Sequence, residues 1–229
     1  VDEPMSARML PVSRAALDAL LATRDTIVAL VSGRSLTDLR IIAEHDDASQ
    51  VLLAGSHGAE YWVPGEGRLE LDDDPSDLAL RDTLRAHALE ATQGMAGIWI
   101  EPKTFGFGVH TRGADDATGA AANMAVDAIL QAEAPHWRRR AGHNIVEYAF
   151  RHEGKDTGVA TLRERTGATA VLFAGDDTTD EDALESLGPD DVGVHVGEGP
   201  SAASVLVADI PAMAALLTRL AAERTAAQE

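Results

Sequence analysis

The chain has 229 residues, 45% of them hydrophobic, with 38 acidic residues against 19 basic and a formal net charge of −19 at pH 7. That length and apolar content support one large domain or two small ones with a sizeable core, and exclude global disorder. A negative field of this size repels nucleic acid and anionic lipid and excludes both as partners, while any phosphorylated small molecule must meet cations concentrated at its site. Cysteine is absent, which removes disulfides and thiolate metal sites and fits a reducing, cytoplasmic setting. No apolar stretch reaches the length of a membrane span, and no basic-then-apolar leader is visible.

From the N-terminus, PVSRAALDALLAT (11–23) places Ala15, Leu17, Leu20 and Leu21 at helical spacing, and TIVALV (26–31) reads as a buried strand. SLTDLRIIAEH (35–45) opens with Ser35 and Asp38 in a capping-box arrangement and continues as helix. VLLAG (51–55) is a short strand, and 60–71 a hairpin turning at Pro64-Gly65-Glu66-Gly67. Beyond the acidic DDDP (72–75) the rhythm changes to helix over 76–94 and strands over 97–101 and 104–112. The same order then repeats, with a helix over 114–134 and strands over 136–142 and 144–151. Strand and helix alternate again from Gly154: helix to Arg165, strand 169–175, helix 178–187, strands 192–196 and 204–208, and a closing helix from Pro211. Alternating βα on both sides of a helix-strand-strand repeat predicts an α/β core with a parallel sheet carrying a smaller α+β domain. The expected boundaries are 1–71 and 153–229 for the core and 72–152 for the insert.

Chemistry concentrates at predicted strand ends. In VLFAGDDTTDEDAL, Gly175 lets the backbone turn while Asp176 and Asp177 arrive at a strand's carboxyl end, with Asp180 four residues after Asp176. Carboxylates this dense repel unless something positive absorbs the charge, and Mg²⁺ takes one or two of them with waters and a phosphate oxygen. An acidic helix start accounts for the same residues, since Thr178 and Glu181 also have capping-box spacing. In VALVSGRS (28–35), Ser32 offers a hydroxyl for phosphate, Gly33 close approach, and Arg34 a planar fork of donors; a capped helix after a tight turn is the alternative. Lys155 opens a helix, where a cation opposes the macrodipole, although surface lysines are common. In IWIEPKTFGFGVHTR, Glu101 and Lys103 share one strand face, with His110 and Arg112 on the next strand. That set suits a polyol ligand, or simply a solvated sheet. GSHGAE (55–60) adds Ser56, His57 and Glu60 between glycines.

In order, VSGRS, GSHGAE, IEPK…VHTR, VEY…GK, AGDDTTDEDAL and HVGEGPSAA resemble the trehalose-6-phosphate phosphatases of the haloacid-dehalogenase (HAD) superfamily. The resemblance implies a Rossmann-like core, a sugar-binding cap and Mg²⁺-dependent hydrolysis of trehalose 6-phosphate to trehalose in trehalose biosynthesis. A trehalose-phosphate synthase is then the expected functional partner. It implies that Ser32 binds the phosphoryl group and that Lys155 neutralises it together with the attacking carboxylate. Asp176 becomes a Mg²⁺ ligand, with Asp177 and Asp180 supporting the metal or orienting Lys155. Arg34, His57, Glu101, Lys103 and Glu147 are left to hold the disaccharide. Phosphatases of sucrose phosphate or mannosyl-phosphoglycerate, and a non-catalytic phosphosugar-binding module, are the alternatives.

One departure is large. The superfamily's nucleophile lies in an Asp-x-Asp-Gly-Thr motif ending the first core strand, and no such motif occurs here. Asp72 and Asp74 have the spacing but precede Pro75 and follow no buried strand, so they are rejected. The nucleophile, the general acid and one Mg²⁺ ligand are therefore expected upstream of Val1, with this chain inactive alone. In this superfamily the missing strand lies mid-sheet, so its loss is expected to leave an unpaired edge on both neighbours.

Overall fold

Short side chains mark most helix starts: Ser35 accepts the Asp38 N–H, Asp74 the Ser76 N–H, Asp115 the Thr118 N–H and Asp209 the Ala212 N–H. The Asp74 bond makes the rejected DDD run a helix cap. The computed structural model describes residues 4–69 and 72–228. They form two compact units, residues 1–70 with 153–229 and residues 71–152.

The first unit begins with α1 (Pro11–Leu21), β1 (Ala29–Val31), α2 (Leu36–Ile42), β2 (Leu52–Gly55), β3 (Glu60–Val63) and β4 (Gly67–Arg68). The second unit then runs α3 (Pro75–Ala91), β5 (Trp99–Lys103), β6 (Gly106–His110), α4 (Asp116–Glu133), β7 (Arg138–Gly142) and β8 (Ile145–Ala149). The chain returns to the first unit with α5 (Lys155–Thr166), β9 (Leu172–Gly175), α6 (Thr178–Glu185), β10 (Val192–Val196), β11 (Val205–Val207) and α7 (Ile210–Ala226). No helix among the described residues is long and apolar enough to cross a membrane.

In the first unit β1 and β2 pair in parallel, and β3 and β4 extend that sheet antiparallel. Strands β9, β10 and β11 form a separate parallel sheet. The single parallel sheet read from the sequence is thus two hydrogen-bonded sheets among the described residues. The reason is local: β1 bonds only to β2 and β9 only to β10. The strand expected over 26–31 is correspondingly short, beginning at Ala29, with Ile27 half exposed. Side chains tie the two sheets together. Val31 packs both with Val159 and Phe173 and with Leu52, Ala54 and Leu162, so α5 lies under both strand sets. Leu20, Leu36, Leu39, Leu53 and Ala221 form the other core, under α1, α2 and α7.

The second unit is an antiparallel sheet in the order β5-β6-β8-β7. Leu84 and Ala88 of α3 and Ala122, Val126 and Leu130 of α4 pack on Ile100, Phe107, Val109, Val146 and Tyr148. Those strand residues alternate with Glu101, Gly108, Ile145 and Glu147, so the polar set lies on the opposite face.

Before β10, Asp191 buries its carboxylate, with 1% of the side chain exposed, against the Arg163 guanidinium at 2.7 Å. It also accepts the N–H groups of Val171 and Gly188, each at 2.9 Å. Burial alone would push its carboxyl up, but the two N–H bonds and Arg163 hold it below the usual carboxylate range. Asp191→Ala strands two backbone donors and should lower unfolding free energy by about 2–3 kcal/mol. The change is read as a lower urea midpoint at constant slope, and a loss below about 0.5 kcal/mol would contradict this account.

Candidate active site

Four sequence-distant segments of the first unit meet through short contacts. After β1 the chain turns at Ser32, whose N–H donates to Ala54 O at 2.9 Å and whose C=O accepts the His57 N–H at 2.8 Å. Ser32 Oγ accepts the Arg34 N–H at 3.2 Å. The His57 ring lies against the bare Gly33, where an added Cβ would stand 2.6 Å from it. Ser56 and His57 have φ of 49° and 60°, a left-handed turn that folds this loop back over the end of β1. Glu60 braces the same loop: its buried carboxylate accepts Leu36 N–H at 3.1 Å, Ser56 Oγ–H at 2.6 Å and the Arg68 guanidinium at 2.8 Å.

The next link is backbone on backbone. Gly58, at φ 101°, sits so close to α5 that a Cβ would lie 2.8 Å from the Gly158 Cα. Glycine is required there twice, for its dihedral and for the approach. The contact pins the His57 loop to the first turns of α5, which opens with Lys155. Lys155 Nζ donates to Asp180 Oδ1 at 2.5 Å, with only 9% and 7% of the two side chains exposed. Asp180 Oδ2 in turn accepts the N–H groups of Asp176 at 3.1 Å and Asp177 at 2.9 Å. Its carboxylate lies over Gly175, where a Cβ would meet Asp180 Cγ at 2.2 Å.

The cap of α6 is Asp177, which accepts the Thr178 N–H at 2.7 Å and forms a capping box with Asp180. This corrects the Thr178–Glu181 box considered from the sequence: Glu181 instead accepts the Ala202 N–H at 2.8 Å and stands 3.6 Å from His195 Nδ1. His195, buried on β10 opposite Gly175, was missed; a histidine inside the apolar VGVHV strand is the signal that marks it. Arg34 sits at the turn before α2, with Nη1 3.8 Å from Met5 Sδ.

Asp176 is different. It is exposed at the end of β9, and its carboxylate makes no hydrogen bond or ion pair with any described residue. Among the described residues no three His, Asp or Glu side chains form a ready cage for a metal. Unengaged carboxylate oxygens at Asp176, beside an exposed Asp177, nonetheless fit the way Mg²⁺ binds, through one or two carboxylates with water and phosphate completing the octahedron.

The second unit assembles its own charged group. Lys103 Nζ bridges Glu101 Oε2 at 3.0 Å and Glu147 Oε1 at 2.8 Å, and His110 Nε2 lies 2.8 Å from the same Glu101 oxygen. Register explains the convergence: Glu101 and Glu147 both lie opposite Gly108, which puts no side chain between them. Half-burial would push the Glu101 carboxyl up, but His110 and Lys103 outweigh it and hold the group below its usual value. Burial likewise works against the Lys103 ammonium, and Glu147 and Glu101 overcome it, raising the group. Arg112, beyond the end of β6, makes no ion pair with these residues.

A family model for trehalose-phosphatase matches residues 1–208. The chain belongs to the trehalose-phosphatase family. A trehalose-phosphate phosphatase of Mycolicibacterium paratuberculosis is 30% identical over 98% of this chain and 59% of that protein. One of Mycobacterium ulcerans is 28% identical over 97% of this chain and 58% of that protein. The chain therefore spans somewhat more than half the length of these curated relatives. Among solved structures, a trehalose-6-phosphate phosphatase related protein superposes with a TM-score of 0.78 at 20% identity, covering 97% of this chain and 92% of that one. The C-terminal domain of the Candida albicans trehalose-6-phosphate phosphatase gives 0.75 at 21% identity, covering 97% and 88%. At these identities the neighbours establish the HAD-like α/β fold with its α+β insert.

Two outcomes test this description. Gly58→Ala forces a side chain onto Gly158 in a left-handed conformation and should lower unfolding free energy by about 2 kcal/mol or more. A melting temperature equal to wild type would refute the packing. For the charged group the sign follows from the shifts: a depressed Glu101 contributes stability above its unfolded pKa, lost as pH falls through the folded value. A raised Lys103 contributes below its unfolded pKa and loses that only at strongly alkaline pH. The stability difference between wild type and Glu101→Gln should be present at neutral pH and shrink below about pH 4. A gap that persists in acid would exclude the ionised pair as its source.

Proposed function

We propose that the chain forms most of a phosphatase that hydrolyses trehalose 6-phosphate, with the attacking carboxylate on a strand between β1 and β9. Family membership supports the substrate class. The observation that carries the mechanism is the buried Lys155–Asp180 pair, anchored through Gly58 and Gly158 to the loop at Ser32 and lying beside Asp176. The position of the nucleophile is supported by two facts. No Asp-x-Asp-Gly-Thr occurs in the 229 residues. Among the described residues β1 and β9 are terminal strands of their sheets, as are β4 and β11, and of these β1 and β9 pack together through Val31 and Phe173.

The carboxylate attacks phosphorus as the sugar oxygen leaves and takes up a proton, and water then hydrolyses the acyl phosphate. Lys155 holds positive charge beside the equatorial phosphoryl oxygens, and Asp180 fixes where that ammonium points. Ser32 Oγ donates to one phosphoryl oxygen. Asp176 and Asp177 would hold Mg²⁺, which when bound neutralises charge on the phosphate. Glu101, Lys103 and Glu147 take the sugar hydroxyls. This arrangement lets a chain of net charge −19 accept an anion, because a few focused cations dominate the local potential. A trehalose-phosphate synthase would supply the substrate.

The test is phosphate release by the gene product including its upstream codons, from trehalose 6-phosphate, sucrose 6-phosphate and mannosyl-3-phosphoglycerate. Trehalose 6-phosphate should be turned over fastest; Asp176→Asn should lower kcat by about a hundredfold or more with the fold kept, and Lys155→Met should lower kcat as much and also lower the melting temperature, because it strands the buried Asp180 carboxylate. Binding without turnover would favour a phosphosugar-binding module, and equal turnover of the three substrates would remove the trehalose assignment.

A further inference from the structure

One aromatic side chain in the second unit is unexplained by packing. Trp99 opens β5 with 52% of its surface exposed, and it is absent from the core cluster that holds its neighbours Ile98 and Ile100. Strand alternation puts it on the face of Glu101 and Lys103, turned away from α3 and α4. It stacks face to face on His110, its register partner on β6, with ring centroids 4.3 Å apart and planes 22° apart. His110 in turn bonds Glu101 at 2.8 Å. A chain of contacts from Glu101 through His110 to Trp99 therefore fixes the indole relative to the carboxylate before any ligand arrives.

Apart from Ile145, opposite His110, the neighbouring positions on this face are small or charged. Gly108 lies between Glu101 and Glu147, Gly106 lies opposite Lys103, and Ala149 follows on β8. An added Cβ would meet Ile145 Cδ1 at 2.9 Å from Gly108 and Tyr148 O at 1.8 Å from Gly106. The result is a strip of carboxylates and an ammonium with a rigid aromatic wall at one end. A hexopyranose ring with equatorial hydroxyls has the matching chemistry: polar groups around its rim and axial C–H groups on its faces. Its rim suits the Glu101–Lys103–Glu147 strip and its face suits an indole.

We infer that Trp99, held by His110, is a specificity-determining wall against which a glucose-type ring of the substrate packs its C–H face. The inference rests on the reading of this chain as acting on trehalose 6-phosphate. It is tested on the gene product including its upstream codons, from the KM for trehalose 6-phosphate and, separately, the inhibition constant of inorganic phosphate, at fixed Mg²⁺. Trp99→Ala should raise the KM for trehalose 6-phosphate by roughly five- to tenfold and leave the inorganic phosphate constant within about twofold, while Trp99→Phe keeps the KM within about threefold of wild type. An unchanged KM for trehalose 6-phosphate in Trp99→Ala overturns the inference alone. So does an equal rise in both constants, which would mean a structural role. A wild-type KM for trehalose 6-phosphate no lower than the inhibition constant of inorganic phosphate overturns the substrate reading, and this inference with it.

Discussion

The buried ion pair between Lys155 and Asp180 is the constraint on which the first unit's chemistry depends. Taking an ammonium and a carboxylate out of water costs several kcal/mol per ion, and the cost is offset only when geometry is close and the remaining lone pairs are used. Both conditions hold. One Asp180 oxygen meets the ammonium at 2.5 Å, and the other gathers the N–H groups of Asp176 and Asp177. A single carboxylate thus positions a cation from one helix and shapes the loop that presents two further carboxylates. Glycine at 175 leaves the space for it.

That pair also orders the helix starts around it. Asp180 belongs to the first turn of α6, where a negative group is favoured, and Lys155 to the first turn of α5, where a positive one is not. Lys155 is tolerated because Asp180 supplies the compensating charge. The same logic extends outward through Gly158 and Gly58 to the Ser56–Gly58 turn, and from there to the carbonyl of Ser32. Rigid backbone contacts, rather than long flexible side chains, connect the parts. Such connections hold a site within the tolerance that catalysis needs.

Much of this was legible before any coordinates. Helix and strand periods differ, and Ser35 with Asp38 announces a helix start, so the order of elements and the repeated helix-strand-strand insert follow from the pattern. Glu101 and Lys103 share a face by parity alone. Their junction with Glu147 is harder, because it depends on β8 pairing with β6, and strand neighbours are set by tertiary packing rather than by local sequence. At α6 the Thr178–Glu181 spacing read from the sequence gives way to a capping box of Asp177 with Asp180, whose carboxylate is held by Lys155. His195 was overlooked because one polar residue among three valines and a glycine reads as noise until Glu181 comes beside it.

The outer edges of β1 and β9, which have no strand partner among the described residues, carry a consequence for the chain in solution. Both strands are short, apolar and only partly covered, and a strand with open N–H and C=O groups is a template for another chain. What opposes that pairing is mutual repulsion between copies bearing −19 each. Repulsion of this kind is screened within about 8 Å at physiological salt and within about 3 Å at 1 M. Ionic strength is therefore the variable that sets the height of this electrostatic barrier to edge-to-edge contact.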